Sequence, residues 1–574
     1  MLDRTQALAE LTGPESAYAI EEIVHDGIPW RVLPKAPPTL RAVFEDLARY
    51  GTRDALVYED ERIDYAEQHR LVAHLARHLA VSRCVRRGDR VAIAMRNHIE
   101  WPLAFWAIQV IGAVAVPLNA WWTPDELRYA IEDSGATVLI CDGERVEPLR
   151  AHLAGTTLTD VLVVRPQGPL APGETDLSAL LRDDFVGPCA LPGTGPEPFD
   201  DATILYTSGT TGRPKGAVGT HHNHTTNLHT MQLLKAVQLA RLGLPVAELV
   251  KGPAVLEDLV PKLPPPNSLQ VYPFFHIAGL ASLYIGAAQG AKLCLMHHWD
   301  IAKALRLIES ERISSATMVP TLLRRLVESP LWAEHDLSSL TNLGAGGSPV
   351  PPDLIGRVGS MSGRAIVPLN GYGMTETTCV AVANSGEEYY EHPDSVGLTV
   401  PTIDLSVVDP VTGAALPTGQ TGEIRFRGPQ VVKGYWNRPR DSEEAFGDGW
   451  FRTGDLGYTD DEGLLYVVDR LKDVIIRGGE NVYSAEVEAV LFEHPAIADV
   501  AVVGVPHHDL GEEVAAVVRL HVSGAATAAE LRGHVARRLA AFKVPTLVRF
   551  TERALPRNAV GKVLKRELRD MLAL

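Results

Sequence analysis

Between Thr207 and Gly216 the chain reads Thr207-Ser208-Gly209-Thr210-Thr211-Gly212-Arg213-Pro214-Lys215-Gly216, a loop of hydroxyls, glycines and two cations. Glycines let backbone N–H groups come close to an anion, and hydroxyls add donors that rotate to suit it. The composition suits a phosphate cradle. It is not a P-loop, since G-x-x-x-x-G-K-[ST] is absent and Pro214 interrupts the spacing before Lys215. Taken alone, a run rich in Ser, Thr and Gly is more often a plain turn.

Four further segments carry chemistry, each with an ordinary alternative. In Gly371-Tyr372-Gly373-Met374-Thr375-Glu376-Thr377, Tyr372 offers a flat face for a base and Glu376 an oxygen ligand for Mg²⁺; a strand-to-helix turn with an exposed acid fits equally. In Trp450-Phe451-Arg452-Thr453-Gly454-Asp455 the acid can accept both hydroxyls of a ribose, or simply form a turn. The run from Arg470 through Lys472 and Asp473 to Arg477-Gly478-Gly479-Glu480-Asn481 reads as a domain hinge before a glycine-lined passage, and nearly as well as a β-hairpin. Lys562 sits in Leu555-Pro556-Arg557-Asn558-Ala559-Val560-Gly561-Lys562, on a tight turn, where a lysine is usually a solvated surface residue.

Taken in order and spacing, these segments resemble the core motifs of the adenylate-forming superfamily, in its acyl-CoA synthetase branch. The resemblance also takes in Pro273-Phe274-Phe275-His276-Ile277-Ala278-Gly279 and Gly344-Ala345-Gly346-Gly347-Ser348-Pro349, and spans roughly residues 40 to 567. It implies an enzyme that couples a carboxylic acid to ATP, giving acyl-AMP and pyrophosphate, and then passes the acyl group to a thiol. By the same resemblance the Thr207, Ser208, Gly209, Thr210, Thr211, Gly212 and Lys215 loop cradles the β- and γ-phosphates. Thr375 contacts the α-phosphate and Glu376 holds Mg²⁺. Gly346, Gly347 and Tyr372 frame adenine, Ser348, Gly371, Gly373 and Met374 join them in binding ATP or AMP, and Asp455 and Arg470 fix the ribose. Lys562, with Thr207, Glu376 and His276, is expected in the catalytic set. Lys472 is the pivot of a rotating small domain that brings Arg477, Gly478, Gly479 and Glu480 beside the pantetheine arm of coenzyme A.

The implied acyl pocket comprises His276, Ala278, Gly279, Ala345, Met374 and Val380. No obvious cation awaits a second carboxylate there, which favours a fatty or other apolar monocarboxylic acid, with an aryl acid as the alternative. No carrier domain follows Leu574, so free coenzyme A is the expected acceptor, over a separate carrier protein. The stretch from His221 to Pro273 is longer than the connection usual in the family. Gln232 to Leu242 and Val255 to Leu263 can form helices beside the acyl tunnel, although a surface elaboration or dimer contact is the preferred reading. The cluster His221-His222-Asn223-His224 has no acidic or Cys partner nearby and reads as structural.

The elements that must position these groups follow from periodicity. Residues 88–142 alternate strand and helix: Val91 to Met95, Trp101 to Ile111, Ala113 to Leu118, Pro124 to Ser134, and Thr137 to Ile140. That pattern predicts a mostly parallel, helix-covered sheet. The alternation resumes with strands at Gln270 to Tyr272, Lys292 to Met296 and Ser315 to Val319, helices at Ile277 to Ala288 and Ile301 to Glu311, and the strand Ala365 to Leu369 before the Tyr372 segment. After about residue 395 short strands and Gly/Pro turns predict a β-rich subdomain, and the last hundred residues an α+β unit. The expected architecture is α/β. It comprises an N-terminal AMP-binding domain over 1–470, with a 1–38 extension and a β-rich part at 395–470, and a mobile C-terminal domain over 471–574.

At 574 residues the chain exceeds one core. A net charge of −17 disfavours a broad grip on nucleic acid or on an anionic membrane. Five scattered cysteines without a C-x-x-C argue against zinc or a disulfide framework. The apolar stretch Pro102 to Trp122 is interrupted by Gln109, Gly112, Pro117 and Asn119, so a buried helix feeding a buried strand is expected rather than a membrane span. A cytoplasmic enzyme acting on small molecules follows, with room for a homodimer.

Overall fold

The apolar runs of the first α/β unit do not alternate, because their strands are covered on both faces. In the computed structural model, which describes residues 2–182, 190–207, 213–255, 266–558 and 562–572, Arg90–Ala94, Val114–Pro117 and Val138–Asp142 are adjacent parallel strands. Their seven-stranded sheet continues to Asp160–Val164 and Glu174–Asp176 on one side. On the other it ends in Asp201–Thr207 and Lys215–Thr220. The helix Glu100–Val110 buries every residue, including Trp101, Phe105 and Trp106. Among the described residues no helix is long and apolar enough to cross a membrane. The helix Pro124–Ser134 has the ends its sequence specifies: a Thr123/Glu126 capping box, Pro124 in the first turn, and Gly135 left-handed at φ 64°.

A second, nine-stranded sheet runs in the order Leu398–Thr399, Val382–Ser385, Val367–Tyr372, Asn342–Gly346, Ser315–Met318, Ser268–Gln270, Leu293–Leu295, Asp54–Tyr58 and Glu61–Asp64. Two strands differ from the sequence reading. The strand expected at Gln270 to Tyr272 ends at Gln270, and the one expected at Ala365 to Leu369 runs on through Gly371 and Tyr372. The latter is extended because Val382–Ser385 folds back antiparallel, pairing Tyr372 with Val382.

The β-rich part is a four-stranded antiparallel sheet of Asp404–Val408, Gly422–Arg427, Phe451–Thr459 and Leu465–Arg470. Beyond it, Ile475–Arg477, Glu480–Val482, Ile497–His507, Gly511–Leu520 and Leu547–Phe550 form the last sheet. Gly478 and Gly479, at φ 60° and 88°, make the two-residue turn between the first two of these strands.

The N-terminal extension and the lengthened connection are built together. The helix α1 (Arg4–Leu11) lies on the helix α2 (His221–Arg241). Ala7, Leu11, Tyr18 and Leu33 bury against Leu233, Ala236, Val237 and Ala240 of α2. The helix expected at Gln232 to Leu242 is thus the second half of one 21-residue helix. Most of Val255 to Leu263 lies outside the described residues.

Candidate active site

Thr207 ends the second strand from the sheet's edge and Lys215 begins the edge strand, the two paired in register, and Ser208 to Gly212 lie outside the described residues. The Lys215 ammonium sits 2.6 Å from Asp441 and 5.3 Å from the centre of the Tyr435 ring. The Tyr435 hydroxyl donates to Glu376 Oε1 at 2.8 Å. One chain of contacts therefore runs from the cation of the glycine-rich loop to the carboxylate expected at the metal. Glu376 is buried, and that burial raises its pKa above the usual carboxylate range.

No group of three His, Cys, Asp or Glu side chains able to hold a metal occurs among the described residues. A lone buried carboxylate fits Mg²⁺ nevertheless, since that ion is commonly held by one or two carboxylates together with substrate phosphates and water.

Glu376 stands on a single turn, Thr375–Thr377, after the strand Val367–Tyr372. The next two residues, Thr378 and Cys379, take φ of 49° and 88°, a left-handed conformation uncommon outside glycine. Thr378 Oγ1 donates to the Gln430 carbonyl at 2.7 Å, and Thr377 Oγ1 accepts from Met374 N at 2.9 Å. A Cβ on Gly373 would lie 1.8 Å from the Cys379 carbonyl oxygen, so only glycine fits there. Backbone strain of this kind concentrates at functional sites. Nothing in the sequence marked Thr378, Gln430 or Tyr435.

Asp455 is 5% exposed and lies opposite Arg470 on neighbouring strands. Tyr372 donates to its Oδ2 at 2.8 Å, and Arg470 Nε is 3.4 Å from its Oδ1. Gly346 is held by Tyr272, whose hydroxyl donates to the Gly346 carbonyl at 2.7 Å. Gly347 is left-handed at φ 78° and exposed, with Ser348 half-buried beside it.

His276 caps the helix α3 (Ile277–Ala288), its Nδ1 accepting from Ala278 N at 3.3 Å. Burial pushes its pKa down to about 4, so the ring is neutral. Ala278, Met374 and Val380 are half-buried, and Val380 crowds the space over Gly371. Two residues assigned to the acyl pocket have other work. Ala345 shares a core cluster with Leu343 and Met318, because alternate strand residues face opposite ways. Gly279 is required by close backbone approach, since a Cβ there would lie 2.1 Å from the Pro273 carbonyl oxygen.

Lys562 arrives from the C-terminal part. Its N donates to Asn558 Oδ1 at 2.9 Å and its carbonyl accepts from Asn558 N at 2.8 Å. Burial, reinforced by Arg470 and opposed by Asp455, lowers the Lys562 pKa to about 7. Across the chain's turn at Lys472, Ser484 Oγ donates to Asp469 Oδ2 at 2.7 Å, and Arg569 reaches Asp473 at 3.2 Å. Arg477 is held by Glu513 at 2.5 Å.

The histidine cluster is structural. His221 Nδ1 accepts from Leu40 N, His222 stacks on Trp30, and His224 Nε2 is 2.9 Å from Thr203 Oγ1.

The AMP-binding enzyme family matches residues 43–436, and the AMP-binding enzyme C-terminal domain matches residues 486–562. A feruloyl-CoA synthase of an Amycolatopsis species is 37% identical over 509 residues, 88% of this chain and 93% of that protein. A long-chain-fatty-acid–CoA ligase of Mycobacterium tuberculosis is 33% identical over 516 residues, 89% of this chain and 93% of that protein. The o-succinylbenzoate CoA synthetase of Bacillus subtilis, solved with its acyl-adenylate intermediate, has a TM-score of 0.74 at 31% identity, covering 93% of this chain and 98% of that one. ATP-bound MatB from Rhodopseudomonas palustris gives 0.78 at 30% identity, covering 93% and 99%.

Proposed function

This chain belongs to the AMP-binding enzyme family, and on that premise we propose that it is an acid–thiol ligase that activates a carboxylic acid with an apolar body as acyl-AMP and transfers the acyl group to coenzyme A. The observation that carries the reading is the Asp455 carboxylate held between Tyr372 and Arg470, supported by the Lys215–Tyr435–Glu376 chain.

A carboxylate is a poor electrophile, and its attack on ATP brings an anion to a polyanion. Fixed cations and donors must therefore meet the charge of the transition state. In this reading Asp455 accepts the ribose hydroxyls, with Tyr372 and Arg470 holding it in place. Thr207 and Lys215 brace the loop on the pyrophosphate side, and Lys215 exchanges Asp441 for phosphate. Lys562 bridges the acyl carboxylate and the α-phosphate. Glu376 is the residue that would hold Mg²⁺, which neutralises phosphate charge when bound. Attack of a carboxylate oxygen on the α-phosphorus breaks the bond to pyrophosphate; attack of the CoA thiolate on the acyl carbon then expels AMP.

The division into an N-terminal domain to 470 and a mobile domain from 471 belongs to the same proposal, with Lys472 as pivot and the Arg477-to-Glu480 turn on the CoA side after rotation. So do cytoplasmic residence and CoA as the acceptor. The test is ATP–pyrophosphate exchange over a panel of fatty, aryl and polycyclic acids, with mass spectrometry of the product when CoA is added. Exchange followed by an acyl-CoA product is expected. Exchange without CoA thioester would turn the reading to a carrier-protein acceptor, and no exchange with any acid would overturn it.

A further inference from the structure

The helix Pro124–Ser134 reaches both flanks of the glycine-rich loop. Tyr129 and Asp133 stand one turn apart on it, so their side chains share a face. Ahead of the loop, the Tyr206 hydroxyl donates to Asp133 Oδ2 at 2.8 Å. Behind it, the Tyr129 hydroxyl donates to the Pro214 carbonyl at 3.1 Å, and the Arg213 guanidinium lies 4.9 Å from the centre of the Tyr129 ring. Tyr206 and Pro214 immediately precede Thr207 and Lys215, the register pair at the base of the loop.

The same two residues hold a third segment, distant in the chain. Arg438 Nη2 donates to the Tyr129 hydroxyl at 2.8 Å and to Asp133 Oδ1 at 3.2 Å. Trp436 Nε1 and Asn437 Nδ2 donate to the Asp133 carbonyl at 3.1 and 3.2 Å. This segment follows directly on Tyr435, the partner of Glu376. It leads into the helix Pro439–Phe446, which brings Asp441 to Lys215. The Asp133 side chain is only 11% exposed, so salt screens its bonds little.

A binding loop of small polar residues takes its position from the scaffold that holds its ends. A helix with a capping box at one end and a left-handed glycine at the other is a rigid mount for such contacts. Precision matters here, because misplacing a reacting group by about 1 Å can lower a rate by about 10²-fold.

Resting on the acid-activating reading above, we infer that Tyr129 and Asp133 are positioning residues for ATP activation, locking the phosphate loop to the segment that carries Tyr435 and so fixing Lys215 relative to Glu376. Both act through other residues, not on the reacting atoms. The role divides the reaction. Adenylation releases the β- and γ-phosphates as pyrophosphate, and acyl-AMP keeps only the α-phosphate. The clamp therefore serves adenylation and its reverse, in which pyrophosphate attacks the α-phosphorus and expels the carboxylate. Thiol attack on the acyl carbon does without it.

The experiment measures ATP–pyrophosphate exchange, and separately thioester formation from supplied acyl-adenylate and CoA, in the full-length enzyme and in Asp133→Asn, Tyr129→Phe and Tyr206→Phe. The acid is one that supports exchange in the wild type. Asp133→Asn weakens the contacts to Tyr206 and Arg438 together and should lower kcat/KM for ATP and for pyrophosphate by roughly 10- to 100-fold. Tyr129→Phe, which keeps the ring beside Arg213, and Tyr206→Phe should each lose about 10-fold, the scale of one hydrogen bond to a charged partner. Thioester formation should stay within about 2-fold of wild type in all three variants. If Asp133→Asn does not fold, the two near-isosteric Phe variants carry the same comparison. Equal loss in both half-reactions, which a purely structural role produces, overturns the inference, and so does unchanged exchange in the folded variants; either result leaves acid activation standing. Failure of every acid to support exchange in the wild type overturns both.

Discussion

The hydroxyl of Tyr372 donates to Oδ2 of Asp455 at 2.8 Å while Arg470 approaches Oδ1 at 3.4 Å, so the carboxylate is held from both sides before any nucleotide arrives. A preorganised acceptor loses little when it takes up ribose hydroxyls. Asp455→Ala should therefore lower kcat/KM for ATP by roughly 10²–10³-fold, as loss of a positioned charged group does. Tyr372→Phe keeps the ring and removes one hydrogen bond to a charged acceptor. It should cost about 1.5–3 kcal/mol in kcat/KM for ATP, close to 10- to 100-fold. Steady-state pyrophosphate release at varied ATP measures both; an unchanged kcat/KM for ATP in Asp455→Ala would remove the carboxylate from ATP binding.

Glu376 is buried and accepts from Tyr435, with its pKa raised by burial. A cation next to it should reverse that shift. Glu376→Gln should raise the Mg²⁺ concentration for half-maximal exchange by about 10-fold or more, the scale of one charge-assisted ligand. Because Tyr435 links Glu376 to Lys215, Tyr435→Phe should raise it by a smaller factor. A Mg²⁺ titration of exchange rate separates the two; an unchanged Mg²⁺ dependence in Glu376→Gln would remove Glu376 from the metal site.

Much of this arrangement was legible in the sequence because it rests on local chemistry. The ends of Pro124–Ser134 follow from Thr123, Pro124, Glu126 and Gly135. The motif residues Tyr372, Asp455 and Arg470 do come together. What was not legible depends on long-range closure. Tyr435 reaches Glu376 across 59 positions. Lys235 meets Gln289 only because α2 and α3 pack. Ala345 entered the expected acyl pocket by resemblance alone; the period of two along its strand, read with the packing of the sheet, sets it in a cluster with Leu343 and Met318. No local pattern encodes such pairings.

Gly373 is fixed by a single approach, since a Cβ would stand 1.8 Å from the Cys379 oxygen. The neighbouring residues cannot yield easily, because Thr378 and Cys379 are already left-handed. Gly373→Ala should destabilise the N-terminal part by about 1–3 kcal/mol or more, the range for overpacking. It should also displace Glu376, lowering exchange activity by more than the folded fraction accounts for. Thermal unfolding and exchange at a temperature where the variant remains folded check this; wild-type activity in the folded variant would show that the turn tolerates a shift.

Lys562 in the free enzyme has a pKa lowered to about 7. The unfolded chain keeps a lysine near its ordinary value of about 10.4. Between these values the unfolded state binds more protons, so the free enzyme gains stability as pH rises through that window. ATP carries the opposite charge and should return the pKa upward. Binding at pH 8 should therefore take up close to one proton per ATP, read from calorimetry in buffers of different ionisation enthalpy. Lys562→Met should abolish the uptake, and uptake unchanged in that variant would assign the proton to another group.

Lys562 also separates the two half-reactions. It lies ninety residues beyond Lys472 (562 − 472), on the part of the chain that Ser484–Asp469 and Arg569–Asp473 hold in the present arrangement. If one site is assembled in two ways, the lysine serves only the arrangement in which the carboxylate meets ATP. Lys562→Ala should then abolish ATP–pyrophosphate exchange while leaving thioester formation from supplied acyl-adenylate and CoA within a few-fold of wild type. Breaking the Ser484–Asp469 contact with Ser484→Ala should slow exchange modestly, by about 5-fold, the scale of one hydrogen bond, and leave thioester formation unimpaired. Equal loss of both half-reactions in Lys562→Ala would refute the rotation of the C-terminal part and place Lys562 in a single fixed site.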